Sequence, residues 1–291
     1  MLYGIFLSIV SCFCWGSASF MMRGIKELDA AEMSVTRAAG GLISASLLFF
    51  FIMGRHLTPI TTQEAFLFFA MVLINNIIGD VCLFYSIHHL GIAAGSAVSN
   101  SYPIWVAALS FVIYNEPLTP AIAAGTLLVV AGVALLCLGK GGKGHISLRG
   151  LAAAAGASIF WAVGLLLYKQ LLLCGLEPLM IVLGRAVSFF VLAFIMWFSR
   201  EFFIKKKAHA LQALQKKDTV IGLSAGLCNV AFAWFYLLTL QKVPVTVATP
   251  ICAANPVIAS LLSMLVYKDR ITVMQWAGIF FAVGGTILVA M

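Results

Sequence analysis

The chain has 291 residues; 63% are hydrophobic, 10% are charged, and the mean hydropathy is +1.07. A soluble domain carries about 25% charged residues, so this chain lacks the polar surface that a water-soluble globule needs. Its formal net charge of +8 sits mostly in short links between apolar runs. That distribution argues against a nucleic-acid surface and for loops held on the cytoplasmic side of a membrane.

About 20 apolar residues cross a bilayer as a helix. Runs of that length fall at 3–22, 32–53, 65–87, 93–113, 119–139, 150–172, 178–199, 219–240, 245–266 and 272–290. They predict an all-α integral membrane protein of ten transmembrane helices. The first run begins at Leu2 with no basic segment before it, so it reads as a span of the mature protein, not as a cleaved signal. The longest link, 200–218, mixes Phe202, Phe203, Ile204, Leu211 and Leu214 with basic residues. It reads either as a short amphipathic helix at the headgroups or as a plain basic loop. The seven cysteines are read as small buried hydrophobes, because Cys12 and Cys14 point about 200° apart on a helix.

Of the 18 Lys and Arg residues, Arg37 and Arg185 lie inside runs, and Arg55, Lys169 and Lys242 fall on one side. The remaining thirteen fall on the other. The positive-inside rule makes that second side cytoplasmic and places both termini outside, in a plasma or inner membrane.

NSYPIWVAALSFVIYNEPLT at 100–119 and AANPVIASLLSMLVYKDRIT at 253–272 align without gaps. Pro103 meets Pro256, Tyr114 meets Tyr267, and Glu116 meets Asp269. The same offset joins Gly125 to Gly278, Gly132 to Gly285 and Asn76 to Asn229; Trp15 matches Trp161, and Arg37 matches Arg185, at slightly shorter offsets. The halves are thus 1–140 and 146–291. Five helices per half is an odd number, so the second half enters the membrane from the opposite side. Inverted repeats of this kind suit alternating access.

The paired Trp15 and Trp161, Arg37 and Arg185, YNEPLT at 114–119 with YKDRIT at 267–272, and AGTLLVVAG at 124–132 with AGIFFAVGG at 277–285 resemble the drug/metabolite transporter superfamily. The resemblance is nearest to its EamA-like ten-helix branch and covers essentially the whole chain. It implies a basket of helices 1, 3, 4, 6, 8 and 9 around a central cavity, with helices 5 and 10 outside it. YKDRIT departs from the usual acidic-then-small pattern, which limits the expected role of the acidic residue to capping the loop.

Asp80 is the sharpest single feature. It lies about eight residues, or roughly 12 Å, from the cytoplasmic end of the third run. A carboxylate there is costly and usually faces an interior path. Asn76 stands one turn before it, whereas the second half keeps Asn229 but has Ala233 in place of the acid. Two readings stay open: Asp80 meets a proton or a cationic group, or it forms a static ion pair with Arg37, which enters at a similar depth. Arg185 has no carboxylate at its own depth, so it is read as structural or as attracting an anionic group.

Pro103 and Pro256 each free a carbonyl four residues earlier, that of Ser99 and that of Cys252, and are read as hinges. With them, Ser99, Asn100, Tyr102 and Asn255 are candidate cavity residues, as are Trp15, Trp161 and Tyr168, whose rings offer apolar faces with one donor each. Ser8, Ser11, Trp15 and Ser19 share one helix face. His88 and His89 are adjacent, point apart and are expected at the interface, with no metal between them. No phosphate-binding G-x-x-x-x-G-K-[ST] loop is present, and neither a cofactor nor a nucleophile-elbow serine is expected.

The reading is therefore a secondary transporter, exporting a small organic metabolite such as an amino acid, amine, nucleobase or drug-like compound. Its expected partners are that solute and membrane lipid, with no nucleic acid; coupling to a proton and facilitated diffusion fit the sequence equally. A membrane-embedded enzyme acting on lipid or acyl groups would need His88, His89 and Asp80 at one site. A passive channel would need a continuous polar stripe.

Overall fold

In a computed structural model, residues 1–26, 28–53, 59–138, 147–204 and 217–291 are described. Among the described residues, ten helices are long and apolar enough to cross a membrane: α1 (Leu2–Arg23), α2 (Ala30–Ile52), α3 (Thr62–Leu90), α4 (Ile92–Tyr114), α5 (Pro120–Leu138), α6 (Leu148–Leu173), α7 (Pro178–Phe202), α8 (Asp218–Leu240), α9 (Val245–Tyr267) and α10 (Val273–Ala290). No strand occurs among the described residues. An even number of spans brings Leu2 and Ala290 to one face, called the terminal face here. The opposite face, where α1 and α9 end and α4 begins, is called the basic face after the Lys- and Arg-rich links expected there. Most of the 200–218 link lies outside the described residues; its start, Arg200–Ile204, continues α7 as a π-helical turn.

Local sequence explains where several spans begin and break. Thr61 with Glu64, and Thr272 with Gln275, form capping boxes that satisfy the first N–H groups of α3 and α10. α4 is interrupted at Asn100–Ser101, and α9 at Ala254. In each, a proline (Pro103, Pro256) opens the second segment, where its missing N–H costs least. Asn255 donates from Nδ2 to the Cys252 carbonyl at 3.1 Å, the carbonyl that Pro256 leaves without a helical partner.

The principal helix pairs are α1 with α8 and α9, α6 with α3 and α4, α2 with α7 and α8, α7 with α3, α4 with α9, and α5 with α10. Exchanging the two halves maps this set of pairs onto itself. α5 and α10 pack through glycines: a Cβ on Gly132 would stand 2.4 Å from the Ala282 nitrogen, and one on Gly278 would stand 2.6 Å from the Gly132 carbonyl oxygen. Small residues let backbones approach closely where lipid supplies no hydrophobic drive for helix association. Large apolar side chains such as Phe51, Val112 and Phe280 are 72–78% exposed on the outside of the bundle, as lipid-facing residues are.

Candidate substrate cavity

A cavity of about 620 Å³ occupies the centre. Its walls include the basic-face halves of four helices, with Trp15, Ser19 and Met22 on α1, Asn76 and Asp80 on α3, Ile92 to Asn100 on α4, and Asn255 to Ser260 on α9; beyond mid-span toward the terminal face they take in Tyr168 on α6, Arg185 on α7 and Phe232 on α8. α10 contributes nothing to the wall. The expected basket needs two corrections. α2 and α7 enter it through Arg37 and Arg185, and the end of α5 adds Leu136 and Cys137.

Asp80 stands just after a π-helical turn in α3, Leu73–Gly79. The extra residue per turn re-aims Asn75 and Asn76 inward, and such turns recur at functional sites. Asp80 Oδ2 accepts from Arg37 Nη2 at 3.2 Å, and Oδ1 accepts from Trp161 Nε1 at 3.3 Å. The Trp161 ring fits because Gly79 has no side chain, since a Cβ there would lie 2.7 Å from the indole. Gly164 clears the Asn75 side chain in the same way, at 2.5 Å, and Asn75 Nδ2 donates to the Trp161 carbonyl at 3.3 Å. α3 and α6 therefore hold the acid and the indole in one fixed arrangement.

Arg37 also lies over the Phe189 ring, 5.1 Å from its centroid, and donates to the Met22 sulfur at 3.7 Å. Arg185 donates to Asn229 Oδ1 at 2.7 Å and lies 6.0 Å from the Tyr168 ring centroid. It makes no ion pair among the described residues. The cavity thus holds two guanidinium groups and one carboxylate, a net positive charge.

Trp15, Asn76, Asp80, Asn100, Trp161, Tyr168, Asn229 and Asn255 of the sequence candidates line this cavity, with Pro256, Arg37 and Arg185. Three candidates stand elsewhere. Ser99 is fully buried and donates to the Ala154 carbonyl at 3.4 Å. Tyr102 is 1% exposed and packs behind the wall, its ring centroid 6.1 Å from Trp15 and 6.2 Å from Trp161. Pro103 is buried beside it. The break at Asn100–Ser101 turns these three away from the lumen. Of the serine face on α1, Ser8 and Ser11 bond backbone carbonyls, and Ser19 reaches the wall. Wall residues that sequence reasoning passed over include Met22, Ser96 and Phe232, the last 4.4 Å from Trp15 between ring centroids. Only their partners across the bundle reveal them.

His88 and His89 stand 5.1 Å apart between ring centroids near the end of α3, with His89 stacked on Tyr85, and neither lines the cavity. At the basic end, Asp29, Glu32 and Glu201 offer carboxylate oxygens within 4.8 Å of one another, and Arg200 pairs with Asp29. A second recess of about 520 Å³, nearly all apolar, runs between α2, α3 and α7 and shares Asn76, Asp80 and Phe84 with the central cavity.

The fold and cavity define a ten-span helical membrane protein with a central cavity walled by both halves of the chain. The family model of the EamA-like transporter family matches residues 2–138 and 148–291, and the chain belongs to that family. An uncharacterized transporter of Archaeoglobus fulgidus is 27% identical over 165 residues, 56% of this chain and 57% of that protein. A probable 4-amino-4-deoxy-L-arabinose-phosphoundecaprenol flippase subunit ArnE of Pseudomonas fluorescens is 40% identical over 53 residues, 18% of this chain and 46% of that protein. The chain therefore spans only about half the length of these two relatives. The ArnE of Escherichia coli O45:K1 is 30% identical over 87 residues, 29% of this chain and 78% of that protein. A solved crystal structure shares the fold at a TM-score of 0.80 and 15% identity, over 99% of this chain and 98% of that one.

Proposed function

We propose that this transporter carries a small organic solute by alternating access, without ATP, as an exporter whose basic face and cavity mouth are cytoplasmic and whose termini are outside. Residues 1–140 and 146–291 act as inverted repeats, with Pro103 and Pro256 as the hinges. One observation carries this reading: a central cavity is walled by both halves around Asp80, Arg37 and Arg185 and extends to the 72%-exposed Ile92 at the basic-side start of α4, whereas the terminal-side start of α9 is buried. The solute class that fits is zwitterionic or amphoteric, as amino acids are. Arg185, with no carboxylate of its own, takes the anionic group. Asp80 exchanges Arg37 for the solute's cationic group or a coupling proton, and the aromatic wall takes the apolar part.

The apolar recess beside Asp80 favours a second reading, in which the solute is an amphiphile with its tail between α2, α3 and α7. The lipid-linked aminosugar named for the flippase relatives has that form. A thermal-stabilisation screen of the purified protein, with amino acids, amines, nucleobases and alkyl-chain amphiphiles at two pH values, separates the readings. Stabilisation by short zwitterions that is lost in Arg185→Gln supports the first. Stabilisation that grows with alkyl length and is lost in Val81→Trp supports the second, and no stabilisation by any class overturns both.

A further inference from the structure

Both halves finish their fourth helix in the same way. α4 ends at Tyr114 with Asn115 at φ 51°, and α9 ends at Tyr267 with Lys268 at φ 56°. One residue further on stands an acid, Glu116 or Asp269. Each acid pairs with a cation from the first helix of the opposite half: Lys169 of α6 for Glu116, Arg23 of α1 for Asp269. Each cation lies over the neighbouring tyrosine, Lys169 at 4.6 Å from the Tyr114 centroid and Arg23 at 5.2 Å from that of Tyr267. The acids and tyrosines are 153 positions apart and the cations 146, the offsets that relate the prolines and the cavity tryptophans. These are two copies of one device, set on opposite faces.

They differ in one respect. Glu116 is 5% exposed, and its two oxygens accept from the backbone N–H groups of Val245 and Thr246, each at 2.9 Å. These are the first two residues of α9, at the terminal face. The corresponding first residues of α4, at the same 153 offset, are Ile92 and Ala93. Among the described residues no side chain accepts from the N–H of Ile92 or Ala93 as Glu116 does at the start of α9, Ile92 is 72% exposed, and both residues line the cavity. Packing follows the same division. The first segment of α9 packs on the last segment of α4 and on α5, closing the terminal face, whereas the mirror pairing of Ile92–Ser99 with Asn255–Tyr267 is not among the packed pairs.

We infer that the two acids are alternating latches of one gate. Glu116 clasps the N–H groups of Val245 and Thr246 while the cavity is open to the basic face, and Asp269 clasps those of Ile92 and Ala93 when it is open to the terminal face. A helix start carries free N–H donors and partial positive charge, so a carboxylate closing on it replaces water with charge-assisted hydrogen bonds. The bonds lost in opening one latch are recovered in closing the other, which keeps the two states close in energy. The inference rests on the alternating-access reading. A loop-bracing role for both acids would instead give two independent, local effects.

Hydrogen exchange read by mass spectrometry, on the full-length protein in lipid nanodiscs, separates these. In the wild type, amides 245–247 exchange slowly and 92–94 rapidly. In Glu116→Gln, exchange at 245–247 rises and exchange at 92–94 falls, each about tenfold, from the loss of a charged hydrogen-bond partner. Adding Asp269→Asn to that variant removes the new protection at 92–94. Asp269→Asn alone, at a partly exposed site, leaves folding intact and lowers exchange at 245–247 further. A rise at 245–247 with 92–94 unchanged, together with no change in Asp269→Asn alone, overturns the latch. If solute still moves protection from one end to the other in the wild type, alternating access stands without the latch. If solute opens both ends at once, alternating access itself falls.

Discussion

Replacing Asp80 by Asn keeps the shape and the Trp161 hydrogen bond to Oδ1 but removes the charge facing Arg37 at 3.2 Å. At that separation two unit charges attract by about 5 kcal/mol at an effective dielectric of 20. Desolvation offsets part of this. Breaking a fully buried pair costs about 3–5 kcal/mol, and an exposed pair is worth about 0–1. The Arg37 and Asp80 side chains are 14% and 22% exposed, toward an open cavity, so the expected cost lies between, at about 2 kcal/mol. Thermal unfolding of the single and double variants measures it. Asp80→Asn and Arg37→Gln each destabilise, and the double variant recovers most of the loss as a coupling energy of about 2 kcal/mol. Transport then separates structure from function. If Asp80 handles the solute or proton, the double variant stays at least about tenfold slower than wild type although its stability is restored, a barrier rise of about 1.4 kcal/mol. A double variant that transports at the wild-type rate with the same pH dependence refutes the role given to Asp80.

Three further outcomes are expected. Arg185→Gln weakens binding of solutes bearing a carboxylate by about tenfold or more, through loss of a charged hydrogen bond, and leaves neutral amines unaffected; titration by calorimetry checks this. Gly132→Val forces a side chain against the α10 backbone 2.4 Å away and costs about 1–3 kcal/mol or more by overpacking, whereas Gly284→Ala, with nothing within 4 Å, is neutral in the same melting assay. Burial alone would raise the Glu116 carboxyl, but the Lys169 ammonium and the N–H groups of Thr246 and Val245 outweigh it and hold it below the usual carboxylate range. The groups facing it are Lys169 of α6, Tyr114 of α4, Tyr236 of α8 and the start of α9. A lowered native pKa means that its contribution is complete above the unfolded value of about 4.3 and is lost as pH falls through the native value. Protection of amides 245–247, corrected for intrinsic exchange, therefore persists from pH 7 to 5 and fails only in stronger acid. Loss already at pH 6 contradicts this.

The ten spans and the proline breaks were legible because apolar length and missing N–H groups act locally. The Arg37–Asp80 pair was legible because depth along a helix follows from residue count, although depth left open whether the pair is static. Ser99 and Tyr102 were placed at the cavity by their neighbourhood in sequence. The break at Asn100–Ser101 turns them away, and nothing local encodes the direction of that turn. The π-helical turn before Asp80 leaves no mark in residue type, since LINNIIG reads as ordinary helix. Glu116 stood out in the sequence only as the match of Asp269 in the repeat. Its acceptor role is for the start of a helix 129 positions away, a partner that only the packed bundle supplies.

Counterflow in proteoliposomes tests the central claim most directly. Vesicles are loaded with a stabilising solute from the screen, diluted into trace labelled solute and sampled over time. A carrier with one cavity that faces each side in turn gives a transient internal overshoot of label above equilibrium, abolished when the internal load is omitted. Simple equilibration with no overshoot, insensitive to the internal load, contradicts it and identifies a passive channel.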